Sequence, residues 1–313
     1  MIWILALLAL LALVTLWRVR IRSRRAEADF PPEGLFLHFG ENRVHYVQKG
    51  KGPDLVLIHG ASGNTRDFTF ALMDALSDRY RVTIFDRPGL GHSPRLARRG
   101  VTLRDQADLL AEAAQRLGVK DPILLGQSFG GAVAMAWAVH HPSVAAVVNV
   151  SGATYPWPGA LDRLYATLSR PVIGPVLAHV IGAWVSDDYI EDAIEGVFAP
   201  QSAPFGYAGH IGAPLVTRPH SLMANAQQRT DLRAHLEDLS PAYAGLTLPI
   251  EIVHGDADDT VSLTIHSEAM ARDVPGAVLT RLPGVGHMPH HVSQDHVIAA
   301  IDRAAARAGL GRA

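Results

Sequence analysis

An α/β fold is what this sequence predicts: a mostly parallel central sheet with helices on both faces. Three observations lead there. Short apolar runs of strand length alternate with helix-like stretches along most of the 313 residues, the pattern of a parallel sheet covered on both sides. The alternation lapses once, from about residue 152 to 240, and then resumes, so a second body is inserted between strands. In the middle stands "LLGQSFGGAVA", where a serine sits between two glycines at a strand-to-helix boundary.

At the N-terminus, residues 2–17 carry no charge, and Arg18, Arg20, Arg22, Arg24 and Arg25 follow at once. Sixteen helical residues cover about 24 Å, short of the roughly 30 Å hydrocarbon core of a bilayer. Trp3 and Trp17 stand where interfacial aromatics belong, and Arg18 can snorkel to lengthen the span. The expectation is an apolar helix over residues 1–17 that stays as a membrane anchor, its arginines keeping the following domain on the cytoplasmic side. The rival is a signal sequence cut near Ala26-Glu27-Ala28 before export, although such a sequence wants positive charge ahead of its apolar run. An interfacial or packing helix is the third reading. Residues 18–34, basic and containing Pro31-Pro32, read as a linker.

Residues 35–151 form the first part of the core. "LFLHFGENRVHYVQKG" alternates like two strands about the turn Gly40-Glu41-Asn42, an antiparallel edge. Then come "DLVLIHG" with "TRDFTFALMDALSD", "YRVTIFD" with "LRDQADLLAEAAQRLG", and "PILLG" with "FGGAVAMAWAVHH", which Pro142 stops. "VAAVVNVSG" closes this part. Residues 152–240 are too long for a loop and are expected as a helical cap. Within them "PVIGPVLAHVIGAWV" fits either the inner face of that layer or a greasy outer one. Residues 241–313 return to the core with "LPIEIVHG" and "SLTIHSEAMARDV", then "AVLTRLPG" and "HVIAAIDRAAARAG".

Composition narrows the chemistry. With 28 basic against 30 acidic residues the charge is nearly balanced, and no basic patch calls for nucleic acid. The absence of cysteine excludes disulfides, thiolate metal sites and a cysteine nucleophile. The segment Gly126-Gln127-Ser128-Phe129-Gly130 fits G-x-S-x-G, a sharp turn that exposes a serine oxygen at the top of a sheet. Its glycines let strand and helix backbones pass where a Cβ would clash. A serine hydroxyl needs a base, and the base a carboxylate to orient it. Downstream strand ends offer Asp256, Asp258 and Asp259 in "IVHGDADDTV", and His287, His290 and His291 in "LPGVGHMPHHV". The aspartates do not make a calcium loop, which needs a glycine and a distal glutamate missing here. The histidines lack regular metal-ligand spacing.

Together "LVLIHGASG", "FDRPGLGHS", "GQSFGG", "HGDADDTV" and "GVGHM" resemble the capped, serine-nucleophile branch of the α/β-hydrolase superfamily. That group holds carboxylesterases, monoacylglycerol lipases, meta-cleavage-product hydrolases and cofactor-free haloperoxidases. The resemblance runs from about residue 35 to the C-terminus and implies a Ser128, Asp258 and His287 triad. It also implies backbone N–H donors at Ala61 and Phe129 for an oxyanion, with His59, Gly60, Gly126, Gln127 and Gly130 in support. Asp256 then reads as a turn residue, Asp259 as a helix N-cap, His290 and His291 as structural or rim residues, and Ser62 as a candidate extra donor. The implied activity is hydrolysis of carboxylic esters with small to medium apolar acyl groups, a monoacylglycerol-like lipid being favoured by the apolar N-terminus. Carbon–carbon bond hydrolysis or perhydrolysis with the same triad is the alternative, and an idle membrane-associated binding scaffold the non-enzyme one. No cofactor and no metal are implied, the partner is the small ester itself, and the oligomeric state stays open.

Overall fold

The computed structural model describes residues 1–97, 101–159 and 162–310. Eight strands form one sheet in the order β1-β2-β4-β3-β5-β6-β7-β8. They are β1 (Leu35–Phe39), β2 (Asn42–Lys49), β3 (Asp54–Ile58), β4 (Arg81–Phe85), β5 (Ile123–Gln127), β6 (Ala146–Val150), β7 (Ile250–Gly255) and β8 (Ala277–Leu282). The first hairpin is antiparallel, β2 pairs antiparallel with β4, and all other pairings are parallel. The central strands β3, β5, β6 and β7 are buried at every residue, which is why they run mostly apolar without alternation; the buried Glu251 of β7 is paired with Arg303 and Arg307.

Each face of the sheet has its own core. On one side the helix Leu103–Arg116 packs with the helix Phe129–His140, and Leu110, Trp137 and Tyr243 are buried there. Thr102 and Asp105 cap the first of these reciprocally, a box that satisfies two end donors and stabilises a helix by about 1 kcal/mol. On the other side the helix Gln294–Arg307 covers β5, β6 and β7, with Phe68 and Leu72 from the short helices Arg66–Thr69 and Leu72–Leu76. The sequence read one helix over those last two.

Between β6 and β7 lies the helical cap: Arg163–Leu168, Ile173–Trp184, Asp187–Phe198, Tyr207–His210 and the long helix Pro219–Leu239. Leu168, Ala178 and Ala226 form its small core. Helix Ile173–Trp184 turns Gly174, Ala178, Gly182 and Ala183 inward, while Val172, Ile173, Val176, Val180 and Trp184 remain exposed. "PVIGPVLAHVIGAWV" therefore has both an inner face and a greasy outer one.

The N-terminal segment differs from its reading in the linker, whose first part is helical. One helix runs from Ile2 to Asp29, through all five arginines. Its residues 2–13 are exposed, and from Thr15 onward it docks on the cap. Thr15, Val19, Arg22 and Ala26 recur at helical spacing, which puts them on one face. Trp184 Nε1 donates to Thr15 Oγ1 at 3.1 Å, and Arg18 Nε donates to the Ala183 carbonyl at 3.3 Å. The Arg18 guanidinium stacks 4.3 Å from the centre of the Trp184 ring. Arg22 pairs with Asp187, and Glu27 with Arg218, each at 2.9 Å. The basic stretch is thus packing surface, and only residues after Asp29 connect.

Candidate active site

Strand β5 ends at Gln127, and Ser128 comes next with φ 52° and ψ −119°. A non-glycine residue there costs on the order of 1–3 kcal/mol, which the surrounding structure must offset. It does so through backbone: Ser128 N–H donates to the Val150 carbonyl at 3.0 Å, and Gly131 and Ala153 N–H donate to the Ser128 carbonyl. A Cβ on Gly126 would lie 2.7 Å from Gly131 Cα, and one on Gly130 would collide with the Ile58 and His59 carbonyls. Both glycines are therefore required by contact with backbone.

His287 and Asp258 come together from the loops after β8 and β7. His287 Nδ1 lies 2.8 Å from Asp258 Oδ2. Oδ1 of the same carboxylate accepts the N–H groups of Thr260 and Val261, each at 2.9 Å. His254 Nε2 approaches Oδ2 at 3.1 Å. Burial alone would raise the Asp258 carboxyl, but hydrogen bonds from His254 and His287 hold it far below the ordinary carboxylate range. Asp256 is exposed and accepts from Gly284 N–H at 2.7 Å. Asp259 is also exposed and caps no helix, because the next helical segment begins at Thr264. Of the three aspartates, Asp258 meets the histidine.

Among the described residues no hydrogen bond joins Ser128 Oγ to His287. His287 Nε2 instead faces the Gln127 amide nitrogen at 3.4 Å. Ser128, Ala61, Phe129 and Asp258 nevertheless line one cavity of about 490 Å³, with Trp157, Arg229 and Leu232 contributed by residues 152–240. That volume suits a small to medium ligand.

The loop after β3 carries His59, Gly60 and Ala61. His59 is fully buried, and burial first, with the Arg87 charge, lowers its pKa to about 4. Its Nε2 accepts the Arg87 backbone N–H at 3.0 Å, so the proton sits on Nδ1, 2.9 Å from the Gly60 carbonyl. His59 braces the loop; it does not reach the cavity lining. Gly60 packs against Ser128, a Cβ there falling 3.1 Å from Ser128 Cβ. The Ser62 hydroxyl accepts from Asn225 Nδ2 at 2.9 Å, a bond that uses one of its lone pairs and leaves its own O–H as a donor.

Three features had no signal in the sequence. His266 lines the cavity, and its Nδ1 accepts two N–H groups, from Thr154 and Tyr155. Arg87 is completely buried yet has no carboxylate partner among the described residues. Asp67 gathers His290 and His291 by their Nε2 atoms at 3.2 and 2.8 Å and the Tyr207 hydroxyl at 2.8 Å. The ligand-type atoms of Asp67, His290 and His291 lie within 4.8 Å of one another, and Tyr207 ties the group to the cap. Residues His290 and His291 are structural rather than rim groups.

Comparisons with known proteins agree with this architecture. The family model described as the alpha/beta hydrolase fold matches residues 53–294. Haloalkane dehalogenase 2 of Mycobacterium tuberculosis is 26% identical, covering 87% of this chain and 94% of its own. The 2-(acetamidomethylene)succinate hydrolase of Mesorhizobium japonicum is 29% identical over 84% of this chain and 91% of its own. Among solved structures, a membrane phospholipase A superposes with a TM-score of 0.66 at 21% identity, covering 96% of this chain and 98% of that one. The chain belongs to the α/β-hydrolase fold family and is an enzyme of that class.

Proposed function

We propose that the protein is a serine esterase that cleaves carboxylic esters with small to medium apolar acyl groups. The observation that carries this reading is the Asp258–His287 hydrogen bond, with Asp258 and a strained Ser128 lining one cavity and His287 against Gln127, the residue before Ser128. In this reading His287 takes the Ser128 proton as Oγ attacks the acyl carbonyl, and Asp258 stabilises the imidazolium that forms. The N–H groups of Ala61 and Phe129 hold the oxyanion. His287 then protonates the leaving alcohol, and a water, deprotonated by the same nitrogen, releases the acid from the acyl-enzyme. The resting 3.4 Å contact with Gln127 must give way first, and such bonds commonly tighten only when substrate binds. Dehalogenase chemistry needs a carboxylate nucleophile where this chain has Ser128. A fluorophosphonate probe tests the reading: it should label Ser128, p-nitrophenyl esters should turn over, and Ser128→Ala should abolish both. Poor ester turnover with efficient cleavage of a vinylogous diketone would favour the carbon–carbon alternative.

We further infer that residues 2–17 anchor this enzyme to a membrane, with an apolar lipid ester as its substrate. An 18-residue window of the first helix reaches a mean hydropathy of 2.4 and is 6% buried. The free part ahead of Thr15 covers only about 20 Å at 1.5 Å per residue, less than the roughly 30 Å hydrocarbon core. Crossing therefore requires the cap to come down to the lipid, and its exposed row Val172, Val176, Val180 and Trp184 suits that position. Signal cleavage near Ala26-Glu27-Ala28 would instead cut a helix where Ala26 is buried and Glu27 is paired with Arg218. The five arginines favour the cytoplasmic side. Fractionation with reading of the mature N-terminus tests this. Soluble exported protein starting near residue 29 would overturn the anchor.

A further inference from the structure

The peptide unit between Gly60 and Ala61 is held from behind by a buried cation. The Gly60 carbonyl accepts from Arg87 Nη2 and from His59 Nδ1, each at 2.9 Å, and from Gly63 N–H at 3.4 Å. Arg87 Nε donates to the His59 carbonyl at 2.9 Å, and its guanidinium lies 4.2 Å from the centre of the Phe129 ring. In a trans peptide the N–H points opposite to the carbonyl. Fixing Gly60 C=O on Arg87 therefore aims Ala61 N–H the other way, on the side of Ser128 and the cavity.

Arg87 is in turn held by the cap. Its Nη1 donates to Gln228 Oε1 at 2.7 Å and to Gln106 Oε1 at 3.0 Å, while Gln228 Nε2 donates to the Pro88 carbonyl at 2.7 Å. Three residues earlier on the same long helix, Asn225 grips the next residue of the oxyanion loop twice. Ser62 N–H donates to Asn225 Oδ1, and Asn225 Nδ2 donates to Ser62 Oγ, both at 2.9 Å. Ser62 has φ 57°, a left-handed conformation that a serine leaves readily when its restraints go. Positions i and i+3 share a helix face, so one face of Pro219–Leu239 fixes the loop at Ser62 and, through Arg87, at Gly60. Leaving a guanidinium buried without a carboxylate is costly. What it gains here is a rigid pair of carbonyls and a positive charge one peptide away from the developing oxyanion.

We propose that the oxyanion site is assembled across the core–cap boundary, with Asn225, Gln228 and Arg87 as positioning residues for the Ala61 donor. This rests on the esterase reading, in which Ala61 N–H meets the oxyanion. A cap that shifts by one side-chain length would release Ser62 and Arg87 together and turn that donor away. Seating of the cap is then a condition for acylation, and not only a wall around the substrate.

The test uses the full chain carrying Asn225→Ala and Asn225→Asp, assayed on p-nitrophenyl butyrate. Losing an oxyanion donor outright costs about 10²–10³ in rate, so misaiming it should lower kcat about tenfold or more. KM should stay within about twofold. Affinity for a trifluoromethyl ketone, which forms the tetrahedral adduct, should fall with kcat, while inhibition by butyrate, the product, stays unchanged. Asn225→Asp keeps an acceptor for Ser62 N–H and accepts from the Ser62 hydroxyl, so it should restore most of the activity. A raised KM with kcat intact, or equal loss of ketone and butyrate binding, would overturn the proposal. If Asn225→Ala does not fold, Ser62→Ala removes one arm of the grip from the core side, and the same split in kcat and KM decides. A wild-type chain that fluorophosphonate fails to label at Ser128 would instead refute the esterase reading itself.

Discussion

Replacing Asp258 by asparagine removes one charge and almost no volume, and the hydrogen bonds around it decide how the triad responds. Oδ1 accepts two backbone N–H groups, from Thr260 and Val261. An asparagine must put its carbonyl oxygen there, since an NH₂ facing two donors would leave all of them unpaired. Its NH₂ then takes the place of Oδ2 and points at His287 Nδ1, which Oδ2 now meets at 2.8 Å. The imidazole responds by carrying its proton on Nε2, where it cannot accept the proton of Ser128. Enzymes with this triad lose about 10⁴ in kcat by that tautomer change, about 5.5 kcal/mol of transition-state stabilisation. Asp256→Asn is the control, since Asp256 lines the same cavity but is exposed and, among the described residues, bonds Gly284 N–H and Arg281 rather than a histidine. Its kcat/KM should stay within about threefold of wild type. Steady-state turnover of p-nitrophenyl butyrate measures both, with circular dichroism to show that each variant is folded. A loss below about 100-fold for Asp258→Asn, or a larger loss for Asp256→Asn, would refute the assignment of the acid.

Stability should fall on acidification. Burial lowers His59, His220, His266 and His290 to about 4, against about 6.5 in the unfolded chain. Between those values the unfolded state binds more protons, so this stability is complete above about pH 6.5 and is lost as pH drops towards 4. We expect Tm to fall by at least about 5 °C from pH 7 to pH 5; a flat Tm over that window would contradict the burial of these rings as neutral species. Gly126→Ala should yield little folded protein, because the new Cβ meets only backbone of Gly130 and Gly131, whereas Gly118→Ala meets nothing within 4 Å and should cost no more than its positive φ. Soluble expression and thermal melts of the pair would test this, and equal behaviour would count against the close approach at the elbow. A chain beginning at residue 14 should keep its cap seated, while one beginning at residue 30 loses the contacts of Thr15, Arg18, Val19 and Ala26. Melting the second at or above the first would show that this packing is inconsequential.

The parallel sheet, the cap insertion and the turn at Ser128 were legible because each depends on local pattern: unbroken apolar runs, a lapse in alternation, glycines two residues either side of a serine. Asp258 and His287 were legible only through resemblance, since nothing local says which of three aspartates reaches which of three histidines. The backbone donors Thr260 and Val261 make that choice, and they become visible only once the loop is folded. Arg87, Asn225 and Asp67 were missed for the same reason: each meets partners far along the chain, as Asn225 meets Ser62 across 163 residues. The linker reading of residues 18–34 failed differently. Thr15, Val19, Arg22 and Ala26 do recur at helical spacing, but the uniform apolar run before them and the run of arginines over them hide that period.

The first helix takes hold of the cap, not the sheet. Its side-chain bonds run to Ala183, Trp184, Asp187 and Arg218, all in the insertion. A tether attached in that way reverses the usual mechanical frame of a lidded enzyme. A bilayer holding residues 2–14 would hold the lid, leaving the sheet, with Ser128 and His287, as the body free to swing. Pulling on residues 2–14 would load the joint between lid and body, where Asn225 meets Ser62, Gln228 meets Arg87 and Tyr207 meets Asp67, before it loaded the strands.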